Sequence, residues 1–239
     1  MPDDANDRLS RITTLWTMVF QAHGQAAESA LSARQRLVQR YSGAVYSYLL
    51  GSLREREAAE DLFQEFALRV VRGDFGRADP GRGRFRDYLR RSLINLVHDH
   101  QRARQAWPKP LPHSPEPAAP TPEEEQSFLT SWRDELLERT WRELAQAQPA
   151  YHAVLLFRVQ NPDVPSPQLA EEVGRQLGRA LSADTARKIL QRAHAKFAEV
   201  LVDEVAVSLD QPTAEELEAE LRELDLLKYC RPALQRRGG

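Results

Sequence analysis

A run of prolines near the middle of the chain sets the strongest limit on its fold. Residues 106–122 read AWPKPLPHSPEPAAPTP. Prolines at this density exclude a helix interior and a sheet ladder, because each lacks a backbone N–H and has a fixed φ. Such a segment is typical of an extended, semi-rigid tether. We therefore expect a linker at 106–126 with a small domain on each side of it.

The residues on both sides of this linker favour helices. Glycine is sparse, with 11 among 239 residues, alternating β-branched runs are absent, and good helix formers dominate. The predicted fold is all-α, with two small helical domains and a C-terminal helical extension. Apolar spacing predicts helices at 29–51, 55–72, 84–104, 123–146, 149–159, 166–178 and 182–208, and one acidic amphipathic helix over 213–230. Gly51 and Gly73 are predicted C-caps, and Ser166 and Ser182 predicted helix starts.

Composition narrows the classes of protein to which the chain can belong. Cys230 is its one cysteine, so it can form no internal disulfide or cysteine-built metal site, as suits a reducing cytoplasm. The apolar stretch that begins at Ile12 is too short and too polar for a membrane span or a signal peptide. We expect a cytoplasmic protein with no membrane partner. The net charge is −2, so any nucleic-acid partner must be inferred from local charge.

The stretch 83–105, GRFRDYLRRSLINLVHDHQRARQ, concentrates such charge on one helix. Its apolar stripe contains Phe85, Leu89, Leu93, Leu96, Val97 and His100. The opposite arc is predicted to be basic and to favour a polyanion, although a solvated helix face is the alternative. The preceding loop adds Arg72, Arg77 and Arg82 beside Phe75. The predicted basic arc holds Arg84, Arg86, Arg90, Arg91, Arg102 and Arg104, with Asn95, His98 and Gln101 between them.

The neighbouring helix has the opposite character. In EREAAEDLFQEFALRVVRG, an apolar stripe is accompanied by an acidic and polar face of Glu60, Asp61, Gln64 and Glu65. DNA would repel such a face. An acidic docking face beside a basic helix indicates an adaptor between a protein and DNA.

The two segments AEDLFQEFALRV and GRFRDYLRRSLINLVHDHQR together resemble region 2 of the extracytoplasmic-function (ECF) sigma factors of bacterial RNA polymerase. The resemblance implies that Glu60, Asp61, Gln64 and Glu65 bind the clamp helices of core RNA polymerase. It also implies that the basic helix and the loop before it open the promoter −10 element and capture its bases. The implied −10 contacts are Arg77, Arg82, Arg86, Tyr88, Arg90, Arg91, Asn95, His98, Asp99 and Arg102.

The second half resembles region 4 of the same family, a helix-turn-helix that recognises the −35 element and contacts the polymerase flap. The expected recognition helix has an inner stripe of Ala186, Ile189, Leu190, Ala193 and Phe197 and outer residues suited to the major groove. The segment GRQLGRALS carries an insertion relative to the family's usual spacing. The implied −35 contacts are Ser182, Thr185, Arg187, Lys188, Gln191, Arg192 and Lys196.

The resemblance gives a domain plan and a set of partners. The plan is an N-terminal extension at 1–28, region 2 at 29–105, the linker at 106–126, region 4 at 127–208 and an acidic C-terminal extension at 209–239. The segment Thr14-Leu15-Trp16 and the C-terminal helix are similar to a planctomycete-like branch of the family. Partners implied are core RNA polymerase, promoter DNA, and a regulatory protein such as an anti-sigma factor or a kinase.

Two other functions are compatible with the same sequence features. One is a helix-turn-helix regulator that binds a palindromic operator without polymerase, and another is a helical adaptor whose basic helix is solvated surface. No cofactor is implied, and no nucleophile–base pair or phosphate-cradling loop indicates an enzyme. His98 and His100 point about 200° apart on a helix, so they cannot share a metal ion. The C-terminal acidic helix is expected either to complete a core, as amphipathic ends usually do, or to cover the basic DNA-binding faces in the free protein with its glutamates.

Overall fold

A computed structural model describes residues 27–72, 84–105, 119–209 and 212–237. Over these ranges the chain contains helices and no strand, which confirms the all-α prediction. Most predicted helix ends lie within a few residues of the observed ones. The helices are α1 (Ala27–Leu53), α2 (Arg56–Arg72), α3 (Phe85–Gln105), α4 (Pro122–Ala147), α5 (Pro149–Gln160), α6 (Ser166–Gln176), α7 (Ala183–Val207), α8 (Ala214–Glu223) and α9 (Leu227–Arg237).

The contacts divide the described chain into two compact units. Unit 1 contains the described residues up to Glu135 together with 207–209, and unit 2 contains Leu136–Ala206 and the residues from Pro212 onward. The first half of α4 therefore belongs to unit 1 and its second half to unit 2. Most of the predicted linker, 106–118, lies outside the described residues.

The core of unit 1 is formed where α1, α2 and α3 pack on one another. Each helix contributes a stripe of apolar residues at a spacing of three or four, as an amphipathic helix requires. The buried members include Val45 and Leu49 of α1, Leu62 and Phe66 of α2, and Leu89 and Leu93 of α3. These contacts hold the acidic helix and the basic helix of the sequence analysis in one domain.

Aromatic residues of α4 complete this core. The ring of Trp132 stacks on that of Tyr41, with centroids 5.1 Å apart, and it also packs on Phe128. Phe128 in turn meets Tyr48 edge-on at 5.7 Å. All four side chains are at most 3% exposed. α4 begins at Pro122, inside the predicted linker at 106–126, and its first half is thus part of the domain that precedes the linker.

The core of unit 2 joins the second half of α4 to α5, α6 and α7. One cluster places Val154, Leu169 and Val173 around Ala186, and a second places Leu144 and Leu155 against Ala193. Ile189, Leu190 and Phe197 pack against these clusters. The predicted inner stripe of α7 is therefore confirmed as a set of inward-packed residues.

The C-terminal extension contains two helices where the sequence analysis predicted one. The chain turns at Asp225, whose φ is 55°. The Leu226 N–H donates to the Leu221 carbonyl at 2.8 Å, and the Asp225 N–H donates to the Arg222 carbonyl at 3.0 Å. This is the bonding pattern of a Schellman helix end. The prediction was wrong because aspartate, rather than glycine, occupies the left-handed position.

Two of the predicted caps also differ from the structure. Gly51 is not a C-cap, because α1 continues to Leu53 and ends at Arg54 with φ 55°. Ser166 is the first residue of α6, and the N-cap position belongs to Pro165. Gly73 lies outside the described residues. The predicted start at Ser182 is confirmed, since its Oγ accepts the Thr185 N–H at 3.2 Å.

Candidate functional site

The acidic face of α2 is exposed as a continuous strip. Glu60, Asp61, Gln64 and Glu65 all lie at the surface, while Leu62 and Phe66 on the other side of the helix are buried. One of the four, Glu65, forms an ion pair with Arg69, in which Glu65 Oε1 lies 2.5 Å from Arg69 Nη2. The structure thus brings together the whole predicted docking set.

Leu68 extends this strip and was not among the predicted residues. It lies seven residues after Asp61 and four after Gln64, so it falls on the same face. Its side chain is 52% exposed, in contrast to the buried leucines of the core. Leu68 therefore adds apolar area to the acidic strip. The spacing from Asp61 and Gln64 is the sequence signal that could have identified it.

The predicted basic face of α3 is present, with one exception. Arg91 and Asp99 are exposed, and Tyr88, Asn95 and Arg102 are half-buried beside them. These residues fall within one arc of the helix, since they recur at intervals of three or four. Arg102 and Asp99 form an ion pair on this surface. The predicted loop contacts Arg77 and Arg82 lie outside the described residues.

Arg86 is the exception, because its side chain is buried. It is 1% exposed and lies among the core residues of unit 1, where it approaches Asp87 at 3.9 Å. Arg86 precedes Leu93 by seven residues, which places the two within about 20° of each other on a helix. The prediction that Arg86 belongs to the exposed basic arc is therefore wrong.

The acidic first turn of α4 covers part of the basic face. Glu124 Oε1 lies 2.6 Å from His98 Nε2, and Glu125 Oε1 lies 3.9 Å from Arg90 Nη2. The side chains of His98 and Arg90 are 17% and 15% exposed. Two of the predicted −10 contacts thus face carboxylates of the same chain.

Local bonds fix Glu124 in this place. Its Oε2 accepts the Thr121 N–H at 2.8 Å, and its own N–H donates to Thr121 Oγ1 at 3.3 Å, which is a capping box. Burial raises the pKa of Glu124, but the hydrogen bonds from Thr121 and His98 outweigh burial and hold that pKa below its usual value. The pattern Thr-Pro-Glu-Glu at 121–124 is the sequence signal for this cap. It was not among the predicted helix starts.

In unit 2, α6 and α7 are consecutive helices joined by a turn. The turn, 177–182, has six residues, which is longer than the three or four of an ordinary helix-turn-helix motif. Gly178 has φ 65° and ends α6. The predicted insertion near GRQLGRALS coincides with this turn.

The outer surface of α7 presents most of the predicted −35 residues. Six of the seven are exposed, and the seventh, Lys196, is half-buried and pairs with Glu199 at 3.4 Å. Asp184 lies 2.9 Å from Lys188 and 3.6 Å from Arg187. A hydrogen bond from Lys188 and the positive charges of Lys188 and Arg187 lower the pKa of the Asp184 carboxyl. The exposed six are Ser182, Thr185, Arg187, Lys188, Gln191 and Arg192.

The C-terminal helices leave this surface open. Arg236 pairs with Glu199 at 3.2 Å and Arg237 pairs with Asp203 at 2.5 Å, so the end of α9 is held by acidic residues of α7. Arg187 and Lys188 lie at the other end of α7 and remain exposed. The expectation that the C-terminal glutamates cover the basic face is wrong for this surface of unit 2.

No group of side chains in the described ranges has the composition of a metal site. His98 is occupied by Glu124, and the Nε2 atom of His100 is buried without a hydrogen-bond partner among the described residues. Over the same ranges, none of the helices has the length and apolar character needed to cross a membrane.

A comparison with known protein families matches the part of unit 1 that contains both faces. Residues 37–106, fewer than a third of the chain, match the family model Sigma-70 region 2. No curated protein and no solved structure gives a significant match. The matched range contains both the acidic strip of α2 and the basic face of α3. Residues 37–106 are therefore similar to sigma-70 region 2, and this similarity supports a sigma-70 family sigma factor.

Proposed function

We propose that the chain is a sigma factor of the ECF type, which binds core RNA polymerase and directs it to promoters through −10 and −35 elements. The similarity to sigma-70 region 2 supports a role in polymerase binding and promoter melting. The observation that carries the proposal is that this region holds an exposed acidic strip and a basic face on helices packed in one core.

The acidic strip of α2 is the proposed polymerase-binding surface. Glu60 and Asp61 are exposed and make no ion pair among the described residues, so their charges are available to a basic partner. Leu68 supplies apolar area beside them. A surface that combines an apolar residue with free carboxylates suits a protein partner and repels DNA.

The basic face of α3 is the proposed −10 surface. Promoter opening requires no covalent chemistry, but it requires that an extruded base is captured and that the single strand is held by charge. Arg91 supplies an exposed cation, Asn95 can bond a base edge, and Tyr88 offers a ring. Because Arg86 is buried, we do not include it among these contacts.

The outer face of α7 is the proposed −35 surface. Gln191 and Arg192 are exposed side by side and take part in no ion pair within the described chain. Such groups read base edges and phosphates when a recognition helix enters the major groove. Thr14-Leu15-Trp16, on which the planctomycete-like branch rests, lies outside the described residues, so the branch stays a prediction, as does an anti-sigma factor or kinase partner.

Promoter opening can be tested by permanganate reactivity. A duplex selected from a random pool by the chain together with core polymerase is probed for unpaired thymines. We expect reactive thymines only when both proteins are present, and their loss for Asn95→Ala. Asn161→Ala, in unit 2, is the matched control and should open the duplex as wild type does.

An operator-binding regulator gives a different result in this experiment. It would protect a palindromic site without polymerase and leave every thymine paired. That outcome would contradict the proposed function.

A further inference from the structure

The turn between α6 and α7 holds one arginine in a fixed position. The Gly178 N–H donates to the Arg175 carbonyl at 3.2 Å, and the Arg179 N–H donates to the Gly174 carbonyl at 2.9 Å. These bonds form a Schellman end with glycine at the left-handed position. A Cβ added to Gly174 would lie 2.7 Å from the Arg179 carbonyl oxygen, so the close approach of the turn depends on glycine there.

Apolar anchors on both sides of Arg179 restrain the turn further. Leu177 and Leu181 pack against the cluster that contains Val173. Arg179 lies midway between these two leucines and is exposed. The backbone that presents its side chain is thus fixed by two hydrogen bonds and by two half-buried leucines.

The charge of Arg179 is uncompensated, unlike that of its neighbours. Arg175 pairs with Glu171 at 3.7 Å and with Glu172, and Arg187 pairs with Asp184. The Arg179 side chain makes no ion pair or hydrogen bond with any other described residue. The Arg179 guanidinium therefore has no ion pair within the described chain to break before it binds an anion.

The position of Arg179 next to the recognition helix indicates which anion this is. It lies three residues before Ser182, the N-cap of α7. In a helix-turn-helix the first helix crosses the sugar–phosphate backbone while the recognition helix lies in the major groove, so the turn between them lies beside that backbone. We propose that Arg179 binds a phosphate of the DNA strand that borders the −35 element and so sets the register of α7. This inference rests on the promoter binding proposed above.

The test uses the full chain and a 40-base-pair duplex that wild type selects from a random pool. We expect Arg179→Ala to weaken binding about tenfold at moderate salt. The slope of log affinity against log salt should become shallower by about 0.9, the value for one lost phosphate contact. Arg179→Lys should keep the wild-type slope, because the charge remains. Arg231 of α9 is exposed and makes no ion pair with any described residue, so Arg231→Ala is the matched control and should leave both quantities unchanged.

Two results would overturn the inference, and they are distinguishable. If Arg179→Ala matches wild type in affinity and slope, or Arg231→Ala loses as much, Arg179 is no specific phosphate contact, while the proposed function stands. If wild type selects no duplex with or without core polymerase, the promoter function itself fails and the role of Arg179 fails with it.

Discussion

Glu124 Oε1 lies 2.6 Å from His98 Nε2, and this contact joins the first turn after the linker to the proposed −10 helix. The same carboxylate closes the capping box with Thr121. One side chain therefore fixes the start of α4 and covers part of the basic face. With the stacking of Trp132 on Tyr41, it explains how a helix that lies beyond the proline-rich segment of the sequence becomes part of the preceding domain.

Removing the Glu124 carboxylate should destabilise unit 1. We expect Glu124→Ala to lower the free energy of unfolding by about 1 kcal/mol at neutral pH, the size of a lost helix cap. Because the native pKa of Glu124 is lowered, its contribution is full above the unfolded-state pKa of about 4.3 and is lost as pH falls through the native value. Denaturant melts at pH 7 and pH 3.5 should show this difference shrink. Glu123→Ala, an exposed neighbour, should show little change at either pH.

Truncation of Trp132 should have a much larger effect. Its side chain is 2% exposed and contacts both Tyr41 and Phe128. Trp132→Ala should cost about 3–5 kcal/mol of folding free energy, because a large cavity replaces a buried ring. Denaturant unfolding measures this value, with the adjacent surface change Arg133→Ala as control. A cost below about 1 kcal/mol would contradict the packing of α4 in unit 1.

Asp184 should limit the affinity of α7 for DNA. Its carboxylate pairs with Lys188 and Arg187, two proposed DNA contacts, and its own charge repels phosphate. We expect Asp184→Asn to tighten binding to random duplex DNA several-fold at low salt and to steepen the salt dependence. Asp163→Asn, exposed outside the helix-turn-helix surface, provides the comparison. Unchanged or weaker binding by Asp184→Asn would argue against DNA contact by this face.

Cys230 should report on the folding of the C-terminal helices. Its side chain is fully buried, and burial raises the pKa of its thiol to about 11. Because the thiolate is the reactive form, labelling by a thiol reagent at pH 8 should be slow in the native protein and fast in denaturant. Rapid labelling of the native chain would show that α8 and α9 open readily.

The sequence was sufficient for the helices and for most surface residues. Apolar spacing correctly separated the buried Leu62 and Phe66 from the exposed Asp61 and Gln64, because one amphipathic helix contains both sets. It failed at Arg86, which shares the apolar side of α3 with Leu93. The prediction placed Arg86 on the surface because arginine is charged. Its angular position on the helix, beside Leu93, places its side chain in the core instead.

Other features depend on tertiary packing that periodicity does not report. Nothing in the spacing of Phe128 and Trp132 shows that they pack on Tyr48 and Tyr41, which precede the proline-rich segment. The break at Asp225 was missed because a left-handed aspartate has no distinctive sequence pattern. No sequence pattern singles out Arg179, because its proposed role depends on the backbone hydrogen bonds that fix the turn around it.

The central claim is that the chain is a sigma subunit, and co-elution with bacterial core RNA polymerase on a sizing column tests it most directly. Wild type should co-elute with the core enzyme. Asp61→Arg should not, because it reverses a charge in the proposed docking strip. Asp134→Arg, which reverses an exposed acid of α4 in the same unit, should still co-elute. If wild type fails to co-elute at low salt, or Asp61→Arg co-elutes as well as Asp134→Arg, the proposed polymerase-binding surface is wrong.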